Sequence, residues 1–140
     1  MHMMHIKSKL DELGLTPENS VVIGSGILNV LGIRESNDID LVVTANAYTF
    51  LSEDDSFRKA ENHGKNVLEN QLFEIGTSWD QLGRSWEYDD LFGRSVVIGG
   101  VRYITLEFLL EVKRSWLSDK NVRQKDIDDV KLIEDYLLNH

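Results

Sequence analysis

The sequence predicts a mixed α/β (α+β) domain, on three observations. Two apolar runs, residues 21–23 and 39–43, flank a short helical segment. Residues 95–98 and 101–104 bracket Gly99-Gly100, and paired glycines permit the positive φ of a tight hairpin turn. The last third of the chain carries two amphipathic helical patterns.

Taken in order, Ile6, Leu10 and Leu13 recur at helical spacing, and Gly14 stops that helix. Residues 16–19 form a loop and residues 21–23 a short buried strand. Residues 27–31 form a short helix ended by Gly32, and residues 33–37 connect it to a second strand over 38–43. A helix follows over 45–51, and the polar stretch 61–65 reads as a loop. Leu72-Phe73-Glu74-Ile75 is a third strand. Residues 79–91 stay open between helix and strand, because Trp79, Leu82 and Trp86 have helical spacing that Gly83 interrupts. After the hairpin, Thr105 caps a helix bearing Leu106, Leu109, Leu110 and Val112, with Glu107 favourable in its first turn. The final helix, 126–138, turns Ile127, Val130, Ile133 and Leu137 to one side. There is no repeat, low-complexity stretch or linker, so 1–140 reads as one domain. Residues 1–5 are expected to be a loose end, with His2 and His5 not metal ligands.

Composition narrows the function. The chain has 140 residues, a formal net charge of −9 and no cysteine, so thiolate metal sites and disulfides are excluded. No apolar run approaches the roughly 18–20 residues of a membrane helix, and no signal peptide is read, which fits a cytoplasmic protein without a membrane partner. The acidic balance argues against gripping long nucleic acid, whose phosphates call for a basic surface. It leaves a cationic small molecule, or a local grip on RNA by the basic group Lys113, Arg114, Lys120, Arg123 and Lys125, which otherwise is a solvated surface.

The chemistry concentrates near residue 40. Asp38 and Asp40 sit at i and i+2 beside Ile39 and Leu41. A strand alternates its faces, so both carboxylates point the same way, roughly 6.5–7 Å apart. Two anions so held repel each other and lose hydration, and a divalent cation relieves both costs. Upstream, Gly24-Ser25-Gly26 follows an apolar run and offers backbone N–H groups to a phosphate where a helix begins. Glu74, polar inside an apolar run, is either a third acid or a solvent-facing residue. Trp79, Trp86 and Trp116 are expected in the core rather than stacked on a base.

The order Gly24-Ser25-Gly26, short helix, Gly32-Ile33-Arg34-Glu35-Ser36-Asn37-Asp38-Ile39-Asp40 resembles the nucleotidyltransferase superfamily of the DNA polymerase β type. It is most similar to the branch holding AbiEii-like toxins, MenT-like toxins and some antibiotic nucleotidyltransferases. Residues 104–113, ending on Lys113, and the segment Arg123-Gln124-Lys125-Asp126-Ile127-Asp128-Asp129 resemble two later blocks of that branch. The resemblance implies a mixed curved sheet with helices mainly on one side. It implies transfer of a nucleoside monophosphate from an NTP to a hydroxyl of an unidentified acceptor (RNA end, protein or small molecule), with Mg²⁺ or Mn²⁺. Asp38, Asp40 and Glu74 would hold metal, Gly24, Ser25, Arg34 and Ser36 the nucleotide, and Lys113 and Asp126 would serve catalysis. The alternative it implies is a catalytically inactive binding protein or toxin–antitoxin component, with a second copy or an antitoxin as partner. A third reading is an unrelated α/β domain whose Asp38-Ile39-Asp40 is a surface metal or turn site, which a sheet with Gly24 and Asp40 far apart would support. Departures from the pattern are the Glu in place of the commoner third Asp, the small size and the acidic average.

Overall fold

The computed structural model of the protein describes residues 4–140. Nine strands and six helices occur among the described residues, and seven strands form one open mixed sheet. Its centre is the antiparallel pair β1 (Ser20–Ile23) and β2 (Ile39–Val43), every residue of which is buried except Asp40. Continuous apolar runs build such a centre, because a strand covered on both faces exposes no polar side.

Outward from β2 the sheet adds β5 (Phe73–Gly76) in parallel, then β4 (Lys65–Glu69) and the edge strand β3 (Arg58–Asn62), both antiparallel. Outward from β1 it adds β9 (Val101–Ile104) in parallel and the other edge strand β8 (Ser95–Ile98). The sheet carries α1 (Ile6–Glu12), α2 (Gly26–Val30) and α3 (Ala45–Ser52) in its first half. A separate hairpin, β6 (Ser78–Gln81) and β7 (Arg84–Glu87), leads into α4 (Tyr88–Phe92). The chain closes with α5 (Leu106–Trp116) packed on α6 (Gln124–Asn139). No helix of the described residues is long and apolar enough to cross a membrane.

Local signals account for most of these elements. Gly99 and Gly100 both take positive φ between β8 and β9. The Thr105 hydroxyl accepts the Phe108 N–H at 3.1 Å and starts α5. Of the expected loose end, residues 1–3 with His2 lie outside the described residues. Met4 and Asn29 exchange two hydrogen bonds, and His5 precedes the first turn of α1.

Two expectations change. The loop expected at 61–65 is a β-hairpin, β3 to β4, whose turn is His63-Gly64 with both φ positive. Its strand β3, Arg-Lys-Ala-Glu-Asn, has the charges that guard a sheet edge and lacks the apolar alternation that marks a strand. The open stretch 79–91 is likewise a hairpin, turning at Leu82-Gly83, followed by a helix. Trp79 and Trp86 are opposite one another across it, and Trp86 is buried edge-to-face on Phe108 of α5 at 4.8 Å.

Gly26 is required by space. A Cβ there would collide with Val22 Cγ1, so α2 approaches β1 more closely than any larger residue permits. Gly26→Ala is expected to lower stability by about 1–3 kcal/mol, read as a fall in thermal midpoint. An unchanged midpoint would show that α2 has room to shift.

Candidate active site

The site begins with strand register. Asp40 on β2 lies directly beside Glu74 on β5, and Glu74 beside Glu69 on β4. In-register neighbours share a face, so three acids form a row across three strands. Arg58 on the edge strand is opposite Glu69 and ion-paired to it, which holds the Glu69 carboxyl below its ordinary range. Asn62 donates from Nδ2 to Glu74 Oε1 at 2.6 Å. Asp38, Asp40, Glu74 and Glu69 line one cavity of about 260 Å³.

Asp40 bears the cost of this arrangement. Its pKa is pushed up from 3.8 to about 7, first by burial and then by the charges of Asp38 and Glu74. The two aspartates differ in setting, contrary to the expectation of one strand presenting both. Strand β2 begins at Ile39, so Asp38 is an exposed loop residue while Asp40 is half-buried inside the sheet.

The glycine turn lies against Asp40. Gly24 has φ +65°, and a Cβ there would sit 3.2 Å from Asp40 Oδ2. Turn and aspartate are adjacent, so the separation that would have supported the third reading is absent. Beyond the turn, the hydroxyls of Ser25 and Ser36 are bonded at 2.9 Å, and Ser36 Oγ donates to the Asp38 carbonyl at 3.0 Å. Ser36 has a single hydroxyl proton, so the Ser25 hydroxyl is the donor of their bond. Ser36 is buried, and its N–H donates to Asn29 Oδ1. The loop that delivers Asp38 is thus fastened to the turn and to α2.

A buried ion network fastens the same loop to the C-terminal helices. Arg34 donates to both oxygens of Asp129 at 2.6 and 2.8 Å. Lys113, 4% exposed, bridges Asp126 at 2.8 Å and Asp129 at 3.0 Å. Arg123 closes the chain on Asp126. Burial alone would raise both carboxyls. For Asp126 the hydrogen bonds from Arg123 and Lys113 win, and for Asp129 those from Arg34 and Lys113, so both end below their ordinary range. The Asp126 hydrogen bond first, and the Asp38 charge last, push the Arg123 guanidinium further toward its protonated form.

Gly24, Ser25, Ser36, Asp38, Asp40 and Glu74 therefore meet in one region. Arg34, Lys113 and Asp126 adjoin it, engaged with one another's partners rather than facing an opening. Sequence reasoning passed over Glu69 and Asn62, and it matched Asp129 to a motif without giving it a role. Asp129 lies one helical turn from Asp126 on the face that also buries Val130 and Ile133, while Leu137, expected on that face, is exposed. Two acids in phase with apolar positions were the available signal. Among the described residues, no group of three or more His, Cys, Asp or Glu side chains is placed to hold a metal ion as it stands.

No family model matches the chain, and no curated protein matches it. Two solved structures are similar. The antibiotic-resistance factor ANT(2'')-Ia superposes with a TM-score of 0.55 at 19% identity, over 94% of this chain and 80% of that one. The Megavirus polyadenylate synthase superposes with a TM-score of 0.58 at 12% identity, over 91% of this chain and 29% of that one. Both are nucleotidyltransferase-fold proteins, and this chain has that fold.

Proposed function

We propose that the chain transfers a nucleoside monophosphate from an NTP to an acceptor hydroxyl, assisted by Mg²⁺ or Mn²⁺. The observation that carries this reading is the placement of Asp40 and Glu74 as in-register neighbours on parallel strands, with Gly24 pressed against Asp40 and Asp38 on the same cavity.

The donor set fits a hard divalent cation. Asp38, Asp40 and Glu74 offer oxygens only, and Mg²⁺ keeps several waters, so two protein ligands serve with a third adjusting. Asp38 and Asp40 would hold the ion and Glu74 would join on release from Asn62. Once bound, the cation supplies charge neutralisation at the phosphates and activation of the attacking oxygen. The chain's own groups do the rest. The backbone of the Gly24 turn binds phosphate oxygens where no side chain intervenes. Ser36 orients Ser25 and the Asp38 backbone through two hydroxyl bonds. Lys113 and Arg34 brace α5 and α6 against the loop through Asp126 and Asp129. In the reaction, the acceptor oxygen bonds the α-phosphorus, the link to the β-phosphate breaks, pyrophosphate leaves and the proton passes to water.

Incubation of the chain with each α-labelled NTP, Mg²⁺ or Mn²⁺, and total RNA or small-molecule pools tests this. Transfer of label by the parent chain, lost in the Asp38→Asn, Asp40→Asn double variant, is the expected result. Transfer that survives the double change removes this site as its source.

A second reading has its own support. Lys113 and Arg34 are already committed to carboxylates, which suits a nucleotidyltransferase-fold binding protein, or a toxin–antitoxin component, without turnover. Under that reading NTP with Mg²⁺ raises the thermal midpoint while no acceptor receives label.

A further inference from the structure

The two outer strands of the large sheet end it in opposite ways. Strand β3 presents Arg58, Lys59 and Glu61, charges that keep another strand away. Strand β8, Ser95-Val96-Val97-Ile98, presents none, and residues 95–100 include no charged side chain. Val96 is 40% exposed and Val97 44%, and successive side chains of a strand lie on opposite faces of the sheet. Phe92, also exposed, lies 3.7 Å from the Arg102 guanidinium, and Arg102 is opposite Val97. The edge is apolar on both faces and unguarded.

The ladder shows which backbone groups are spare. The Thr105 N–H donates to the Arg94 carbonyl at 2.9 Å, one step beyond the pair Ser95 and Ile104. Hydrogen-bonded pairs alternate with unbonded ones along an antiparallel ladder. Val96–Tyr103 and Ile98–Val101 are therefore the bonded pairs, which agrees with the two-residue turn Gly99-Gly100. The N–H and C=O of Ser95 and Val97 then point out of the sheet, and no backbone group of the described residues takes them up.

These outward groups, which flank Val96, are complementary to themselves. Turned about a two-fold axis at Val96, Ser95 of one copy exchanges two hydrogen bonds with Val97 of the other, and the reverse pair forms two more. Val96 meets Val96 of the second copy, apolar on apolar. Arg94 falls opposite Ile98, so no like charges are opposed, although each copy carries a net charge of −9. A foreign strand of the usual length, about five or six residues, overhangs this edge. Arg94 already belongs to the turn after α4, and Gly99-Gly100 bends the chain away at the other end. A second copy matches the edge in length and in pattern.

We propose that β8 pairs antiparallel with β8 of a second copy of this chain, with Val96 on the two-fold axis, so that the two sheets become one continuous sheet. The pairing covers Val96 and Val97. The acidic row lies on β2, β5 and β4, and β1 and β9 separate β2 from β8, so both sites stay open in the dimer. The inference stands whether or not the chain transfers nucleotides.

The test is sedimentation equilibrium of the full chain from micromolar to millimolar concentration. The mass rises from one chain to two within that range, as a small interface gives. Val96→Lys sets two ammonium groups against each other on the axis and weakens the dimer at least about tenfold. Circular dichroism confirms that the variant is folded. The chain has no cysteine, so single introduced thiols read the register. Across the axis the Cα atoms of Val96→Cys lie roughly 4.5 Å apart, within reach of a disulfide. Those of Val97→Cys lie roughly 8–9 Å apart, beyond it. Diamide therefore links Val96→Cys into a dimer on a non-reducing gel far faster than Val97→Cys. A chain that stays monomeric at every concentration overturns the proposal, as does a dimer that folded Val96→Lys leaves intact. Equal cross-linking of the two cysteine variants overturns it as well, and that comparison decides alone where Val96→Lys does not fold.

Discussion

Asp40→Asn is expected to lower nucleotidyl transfer at least about a thousandfold and at the same time to make the folded chain more stable. On the proposed reading, the activity loss follows from removing the half-buried carboxylate that would hold the cation, beside Glu74 and Gly24. A cation's stabilisation of phosphoryl charge amounts to several kcal/mol, and each 1.36 kcal/mol is about tenfold in rate. The stability gain follows from the pKa. The folded chain holds the Asp40 carboxyl at about 7, against 3.8 ordinarily, through burial and through the Asp38 and Glu74 charges.

A carboxyl raised on folding binds more protons in the native state between those two values. Stability from this group is thus complete below 3.8 and is lost as pH rises through 7. Asn has no charge to bury. In chelator at pH 8, Asp40→Asn should exceed the parent by on the order of 1–3 kcal/mol, a figure discounted for the partial exposure of the side chain. The difference should shrink toward zero near pH 4. Denaturant titrations at the two pH values measure it, and a variant less stable than the parent at pH 8 would refute the strained-carboxylate account. Added Mg²⁺ should narrow the gap by stabilising the parent alone.

Lys113→Met is expected to produce the largest loss of stability of any single change, about 3–5 kcal/mol, because it leaves Asp126 and Asp129 buried without their shared cation. The exposed pair Arg114–Glu134, three-dimensionally close on the same two helices, sets the contrast. Arg114→Ala should change stability by about 0–1 kcal/mol, since water screens that pair. The two readings of Lys113 separate cleanly here. A lysine that only offsets triphosphate charge would, on removal, raise KM for the NTP and spare the fold. One that braces α5 and α6 lowers the unfolding midpoint without any nucleotide present. Equilibrium unfolding of Lys113→Met beside Arg114→Ala decides between them.

The legible parts of the fold were those written in adjacent residues. Gly99-Gly100 announced its hairpin because paired glycines reach positive φ without strain, and Thr105 announced its helix because its hydroxyl bonds an N–H three residues on. The hairpin turning at His63-Gly64 escaped notice because an edge strand is solvated and shows no apolar alternation. The β6–β7 hairpin escaped because Trp79, Leu82 and Trp86 fall at helical spacing, and only the Leu82-Gly83 turn reveals the strands.

At the site, the sequence by itself determined the glycine turn and the apolar strand that carries Asp40, while the structure put Asp38 on the loop before that strand. These depend on local conformation and on the two-residue period of a strand. Only the tertiary structure decided who stands beside them. Parallel pairing of β2 with β5 sets Glu74 against Asp40, and a bond across 95 residues joins Arg34 to Asp129. Lys113, grouped in sequence with solvated surface cations, became a buried brace, and Trp79 and Trp116, which looked like core, came to line a cavity. Register and burial arise when distant segments close on one another, and hydrophobic periodicity constrains which face is covered without naming its neighbour.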